Sequence, residues 1–281
     1  MISDCNFHLP TLAEPVDLQL VENKTLLDKA IDVEFNICKY GIEETLLSAF
    51  KKSDSLGLSL VNFMILDSDF AKQLCNIDFN IKLKEGHYLT VLIDPYDENA
   101  AEHIETAYQQ GISGIKFHPY LQKIHEETYS KIQALAMLAQ SKSMWVAIDC
   151  SYGTDLLYKV NGVELCAYLL NSGYTGKLLS LHFGGPRIFD VMSLMAQHKN
   201  IYADLSLSLS YWKGSTVWDD LYFAISRVGY RRFIFGSDQP FIQFDKAASD
   251  FEDFSTKYGL TSEVSKSILH NNFYEFLSEI R

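Results

Sequence analysis

The chain has 281 residues, 47% of them hydrophobic and 21% charged, which is ample to bury a full-sized core. Its formal net charge of −12 argues against a nucleic-acid or anionic-membrane surface, because phosphate binding needs clustered Lys and Arg. A small-molecule substrate is the expected partner, and the composition is compatible with a homo-oligomer.

The five cysteines, Cys5, Cys38, Cys75, Cys150 and Cys166, are scattered and form no CxxC pair, so neither a disulfide framework nor a zinc knuckle is suggested. The opening MISDCNFHLP lacks the basic and then apolar pattern of a secretory leader. Nowhere do about 18 consecutive apolar residues occur. A reduced, cytoplasmic protein is the expectation.

In chain order, apolar runs at 2–8, 57–66, 88–94 and 112–118 predict four strands. Four more are predicted at 145–149, 178–183, 200–205 and 232–236. Segments with helical spacing lie between them, at 42–52, 98–110, 126–141, 163–171 and 186–198. Gly111, Gly173, Asn200 and Gly229 mark the stops, as small or amide residues often do at helix C-termini. This alternation predicts parallel strands, either doubly wound or closed into a barrel. No glycine-rich phosphate loop follows the first strand, and a count of eight favours a (β/α)8 barrel, a fold of about 250 residues. One domain over 1–281 is expected.

Residues 9–41 exceed the usual βα loop of about 2–6 residues. In a barrel this elongated first loop would overlie the active-site face as a lid or specificity element. A decorative excursion with a small hairpin around 32–39 is the alternative. The tail after Thr261 reads as closing helices, with Phe273, Phe276 and Leu277 packing inward.

Side chains alternate across a strand. This alternation puts Asp4, Asn6 and His8 on one face of the first strand, opposite Cys5 and Phe7. It likewise groups Lys116 with His118, Ser180 with His182, and Tyr202 with Asp204, and it sets Asp149 apart from Ile148 and Cys150. Asp238 follows Ile234 and Gly236 in parity. Polar ionisable groups thus end most strands where barrel enzymes place their chemistry. Cys5 and Cys150 are expected in the helix layer as inert thiols. His87, His103, His125 and His198 are expected in surface or capping positions. Ser206, Ser208 and Ser210 lie in no GxSxG elbow. A cation would relieve repulsion between Asp149 and Asp238, and a carboxylate beside an activated water would take and return its proton.

The stretches ISDCNFHLP, GIKFHPY, WVAIDCS, LLSLHFGGP, FIFGSDQP and NNFYEFL resemble, in order, the amidohydrolase superfamily, in its branch of barrel hydrolases and decarboxylases. The family pattern opens with an aspartate and then His-x-His. Asp4 and His8 match it, whereas Asn6 replaces the first histidine. Asp149 stands where the fifth strand usually carries a histidine. His182 and Asp238 match the sixth-strand histidine and eighth-strand aspartate. The resemblance implies one divalent metal, zinc first and manganese second, on His8, Asp149 and Asp238, with Asn6 as a weak fourth ligand. The two departures make loss of the metal an open alternative. His182 and Asp238 are the implied acid–base residues. Lys116, His118 and Arg187 are candidates for holding a substrate anion, while internal ion pairs for Lys116 and a solvent-facing position for Arg187 are the alternatives. Tyr211 and Trp212 either wall the pocket or pack their loop.

The leading expectation is a metal-dependent hydrolase cleaving an amide, lactone or ester bond in a small anionic substrate. A metal-independent hydrolase or decarboxylase on the same barrel is the second. A non-catalytic small-molecule-binding barrel is the third.

Overall fold

A computed structural model describes residues 1–9, 41–75, 83–151 and 159–278. The elongated first loop, its expected hairpin and Cys38 lie outside the described residues. Eight parallel strands follow one another around the sheet in sequence order. They are β1 (Ile2–His8), β2 (Leu58–Ile65), β3 (His87–Leu92), β4 (Gly114–Phe117), β5 (Trp145–Asp149), β6 (Leu178–Leu181), β7 (Ile201–Asp204) and β8 (Phe233–Ile234). Backbone bonds close the ring between the chain beyond β8 and β1. Cys5 N–H donates to Phe235 O at 3.1 Å, Asp238 N–H to Asn6 O at 2.9 Å, and His8 N–H to Gln239 O at 2.7 Å. The expected (β/α)8 barrel is borne out.

One main helix follows each strand: α1 (Ile42–Ser55), α2 (Ser68–Leu74), α3 (Ala100–Gln109), α4 (Tyr129–Ser141), α5 (Gly162–Asn171), α6 (Ile188–Gln197), α7 (Val217–Val228) and α8 (Phe244–Lys257). Their sequences show why. In α7, Trp218, Leu221, Ala224 and Ile225 recur at helical spacing and are the buried set, giving one apolar stripe against the sheet. Gly229, at φ 80°, ends it in a conformation that costs other residues a Cβ clash.

Two cores result. Outward-facing strand residues such as Val61, Phe63, Val91, Ile115, Ile148 and Phe233 pack under the helices with Leu46, Ile104, Ile132, Leu165 and Leu221. A second cluster fills the barrel itself, from Cys5, Met64, Trp145, Ala147, Leu179, Leu181 and Ile234. The closing helix α9 (Asn272–Ser278) adds Phe273, Phe276 and Leu277 to that inner cluster. Phe276 lies 5.5 Å, ring to ring, from Trp145, the first residue of β5, so α9 plugs the N-terminal end. The opposite end is left for chemistry.

Three expectations are corrected here. Cys5 packs in the barrel interior, because the β1–β2 register shifts between Ile2 and Asp4 and again between Asp4 and Phe7, breaking strict alternation. Ser180 pairs with Ile148 of the outward set and donates to Cys150 Sγ at 3.4 Å, so it faces the helix layer while Leu179 and Leu181 point inward. His87 and His103 are buried, not at the surface. Among the described residues no helix is long and apolar enough to cross a membrane.

Candidate active site

The C-terminal rim gathers its charges in two linked groups. The first centres on Asp149, the last residue of β5. Lys116 pairs with Ala147 across the β4–β5 ladder and so points inward. Its Nζ lies 3.1 Å from Asp149 Oδ2. His118, just past β4, brings Nε2 to 3.4 Å from the same oxygen, and His182 brings Nε2 to 3.3 Å. The other oxygen, Oδ1, accepts the Ser151 N–H at 3.1 Å and its hydroxyl at 2.5 Å. Gly162, opening α5, is pressed against this strand end. A Cβ there would lie 2.0 Å from the Asp149 carbonyl oxygen, so only glycine permits the approach.

The second group centres on Asp238. His8 Nε2 lies 3.1 Å from Asp238 Oδ1. Asn6 Nδ2 shares its protons among Asp238 Oδ1 at 3.3 Å, Asp204 Oδ2 at 3.2 Å and Ser206 Oγ at 2.9 Å. Since all three are acceptors, the amide nitrogen must face them. The amide oxygen, Asn6 Oδ1, is buried without a hydrogen-bond partner.

Asp204 and Ser206 join the two groups. Asp204 accepts the His182 backbone N–H at 3.3 Å and the Ser206 N–H at 2.8 Å, and the Ser206 hydroxyl donates to it. That hydroxyl, already donating, can only accept from His182 Nδ1, 3.0 Å away. With Nε2 facing a carboxylate as well, His182 needs protons on both nitrogens. The same conclusion follows from electrostatics. Burial alone would lower the His182 pKa, but Asp149 and Asp238 outweigh it and raise the group to about 9.

The other groups divide by field. Burial lowers His8, and the charge of Lys116 adds to this against the opposing pull of Asp238. Burial drives His118 down to about 3. Both imidazoles are therefore neutral near pH 7. Burial pushes Asp149 upward, yet His118, Lys116 and His182 overcome it and hold the carboxyl well below its usual range. Asp238 is likewise raised by burial and lowered further by His182 and His8. Burial raises Asp204 and lifts Asp4 to about 6; Asp4 is braced by Ser237 N–H at 3.0 Å and Ser237 Oγ at 2.5 Å.

The backbone bends to present these side chains. His182 (φ 60°), Phe183 (φ 44°) and Asp238 (φ 66°) are left-handed, a costly state for residues with a Cβ. For His182 the bend carries the ring to the site even though β6 alternation pointed Ser180 outward.

Of the sequence-derived candidates, the structure brings together Asn6, His8, Lys116, His118, Asp149, His182 and Asp238. Arg187 lies apart, paired with Glu164 at 3.3 Å and Asp190 at 2.5 Å. Tyr211 and Trp212 pack edge to face on each other, centroids 4.7 Å apart. Sequence reasoning counted Asp204 among the polar strand ends without giving it a role, and it missed Ser206, Ser151 and Ser237 as site framework. A signal existed. Asp4, Asp94, Asp149 and Asp204, on or just past the four odd-numbered strands, each accept the N–H two residues on, from Asn6, Tyr96, Ser151 and Ser206. This is the Asx turn that Asp favours.

The divalent metal implied by the resemblance can be tested against these contacts. Asp149 has both oxygens engaged by protein donors, with the Lys116 ammonium against Oδ2. His8 and Asp238 are turned to each other. Of the expected set, Asn6 Oδ1 is buried without a partner, and Asp238 takes its contacts from Asn6 and His8 at Oδ1. Among the described residues no group of three or more His, Cys, Asp or Glu side chains is arranged to hold a metal ion. The four-ligand set does not fit as it stands.

The amidohydrolase family model matches residues 174–277, from just before β6 through most of α9, bearing out the resemblance. No curated protein matches the chain. Several solved structures share the fold. A TIM-barrel protein from Bordetella bronchiseptica superposes with TM-score 0.66 at 15% identity, covering 99% of each chain. A probable 2-pyrone-4,6-dicarboxylic acid hydrolase from Acinetobacter baumannii, with citric acid bound, gives 0.60 at 12% identity, covering 98% of each. A dihydroxybenzoic acid decarboxylase from Polaromonas sp. JS666, with manganese and 2-nitroresorcinol bound, gives 0.60 at 15%, covering 100% of this chain and 98% of the other.

Proposed function

We propose that this barrel hydrolyses an amide, lactone or ester bond in a small anionic substrate, with Asp238 as the base and Lys116 and His182 as the electrostatic partners. The observation that carries this reading is the buried pairing of opposite roles on one rim. An ionised carboxylate, Asp238, sits with a neutral imidazole, His8. Beside them stand a buried ammonium, Lys116, and a doubly protonated imidazole, His182.

In this scheme the substrate's anionic group approaches Lys116 and the imidazole of His118. That charge offsets the positive field that depresses Asp238 and so raises its basicity when substrate is bound. Asp238 takes a proton from water as the water oxygen joins the carbonyl carbon, and its hydrogen bond with His8 steadies the carboxylate. The charge developing on the carbonyl oxygen is met by the doubly protonated His182 in a water-poor setting. Asp238 then returns the proton to the departing oxygen or nitrogen as the carbon–leaving-group bond breaks. Asn6 Oδ1 is available to accept a hydrogen bond from a substrate hydroxyl or amide.

That same open oxygen favours a second reading, in which a zinc or manganese ion is held by Asn6, His8 and Asp238. Such an ion would supply Lewis acidity at the carbonyl. The structural likeness to a decarboxylase makes loss of carbon dioxide from a hydroxyaromatic acid a further outcome. Turnover of lactones, carboxylate esters and hydroxybenzoic acids, before and after exhaustive chelation, separates these readings. Chelation-resistant hydrolysis supports the first. Chelation-sensitive turnover replaces it with the second, and decarboxylation without hydrolysis replaces the reaction class.

A further inference from the structure

We infer that the outer face of α7 pairs with the same face of a second copy of this chain, across a two-fold axis at Phe223. This goes beyond the reaction on the rim and does not depend on it.

Four aromatic rings lie together on the outside of the barrel, on α6, α7 and the end of α8. Phe189 and Phe223 are 44% and 42% exposed, and Tyr222 is 38% exposed. Phe189 meets Phe223 edge to face with centroids 5.9 Å apart, and Tyr222 stacks on Tyr258 at 4.7 Å. Apolar side chains exposed singly are ordinary on a protein surface, whereas a contiguous group of them marks a surface that binds.

The charges around the rings say what covers them. Since α7 buries Trp218, Leu221, Ala224 and Ile225, the residues Thr216, Asp220, Phe223 and Arg227, spaced by four, three and four, form one outward line. Asp220 is half-buried and Arg227 exposed. The Arg227 guanidinium lies over the Phe223 ring, 5.1 Å from its centroid. Among the described residues neither Arg227 nor Asp220 has an ion-pair partner. Asp219, on the neighbouring line, is by contrast held within the chain, accepting from Lys257 Nζ at 3.3 Å and from the Tyr258 hydroxyl. Seven residues rise about 10 Å along a helix, which separates Asp220 from Arg227 and places Phe223 between them.

Turned end for end against its own copy, this line sets each Asp220 opposite the partner subunit's Arg227, with the two Phe223 rings in the middle. The face is complementary to itself, as an interface across a two-fold axis must be. Spacings of three and four residues suit two helices packed at about 20°. A partner of uniform charge would satisfy only one end of the line.

The test is the mass of the full chain in solution, by sedimentation equilibrium over about 1–100 µM, the range in which a dimer of micromolar Kd dissociates. The wild type should be a dimer at the upper end. Asp220→Arg and Arg227→Asp each bring like charges together twice across the axis, and each should weaken the dimer by at least about 10-fold. The Asp220→Arg/Arg227→Asp double variant restores both pairs in reverse and should dimerise within about threefold of the wild type. Phe223→Ser removes the central ring and should be monomeric throughout the range. Circular dichroism checks that each variant is folded, and if Asp220→Arg is not, Arg227→Asp and Phe223→Ser carry the test. A wild type that stays monomeric overturns the inference and leaves the face to a different protein. A dimer indifferent to the folded single variants overturns it as well, since another face then holds the copies together. So does a double variant that is folded and monomeric.

Discussion

The Lys116–Asp149 pair can be weighed by a double-mutant cycle. Both side chains are almost wholly buried, at 1% and 3% exposure. Removing one partner of such a pair typically costs about 3–5 kcal/mol, because the other charge is left stranded. Lys116→Met leaves Asp149 with the His182 imidazolium and the Ser151 donors, so the cost belongs near the lower end, about 3 kcal/mol. Asp149→Asn strands both Lys116 and the charge on His182, so about 4–5 kcal/mol is expected. The double variant removes both charges and should cost clearly less than the sum, giving a coupling of about 2–3 kcal/mol. In urea, with a slope of about 3 kcal/mol/M for a chain of this size, the lysine variant should lower the midpoint by about 1 M. Additivity of the two single effects to within about 0.5 kcal/mol would refute the claim that these charges compensate each other.

Three other outcomes follow from the same contacts. His182, raised from 6.5 to about 9, contributes stability that is complete below about pH 6.5 and lost as pH rises through about 9. Imidazole NMR should show its proton leaving over that range, together with a fall in kcat/KM, and an apparent pKa below 7 would contradict the network. In Gly236→Ala the new Cβ would sit 2.5 Å from Asp204 Oδ1 and 2.9 Å from Asn6 Cβ. A loss of about 1–3 kcal/mol is expected from overpacking, along with reduced turnover, and a stable, fully active variant would show that the rim tolerates displacement of Asp204. Phe276→Ala, in the plug at the other end, should cost about 3–5 kcal/mol while leaving KM unchanged; an altered KM would mean that the two ends are coupled.

Much of the barrel was legible because its signals are local. Apolar runs with parallel-sheet burial gave all eight strands, and β1 and β5 were placed to the residue. Strand ends were less secure where the chain leaves the ladder early. The run at 178–183 stops pairing at Leu181, because His182 and Phe183 turn left-handed. Alternation placed Lys116, His118 and Asp149 well, since β4 and β5 pair without register shifts. It misplaced Cys5 and Ser180 for opposite reasons. A register shift in β1 moved one inward, and the true inward set of β6 is its leucines. The sequence could suggest that Asp149 faced a cation. Whether that cation was a metal or Lys116 depended on how far a lysine stem reaches, and spacing does not encode that distance. Asp204 and Ser206 went unassigned because their role lies in bonds to Asn6 and His182, each about 200 or about 20 residues away along the chain.

The central claim is that Asp238 moves the proton in a hydrolysis on this rim. The most direct measurement is kcat/KM for Asp238→Asn beside the wild type, on the lactone or carboxylate ester that the wild type turns over best. Circular dichroism should confirm that the fold is kept. Loss of a general base costs about 100- to 10,000-fold, and a fall in that range, carried by kcat, is the predicted result. A folded Asp238→Asn protein that hydrolyses the same substrate within about threefold of the wild type would contradict the account, given that magnitude for a base.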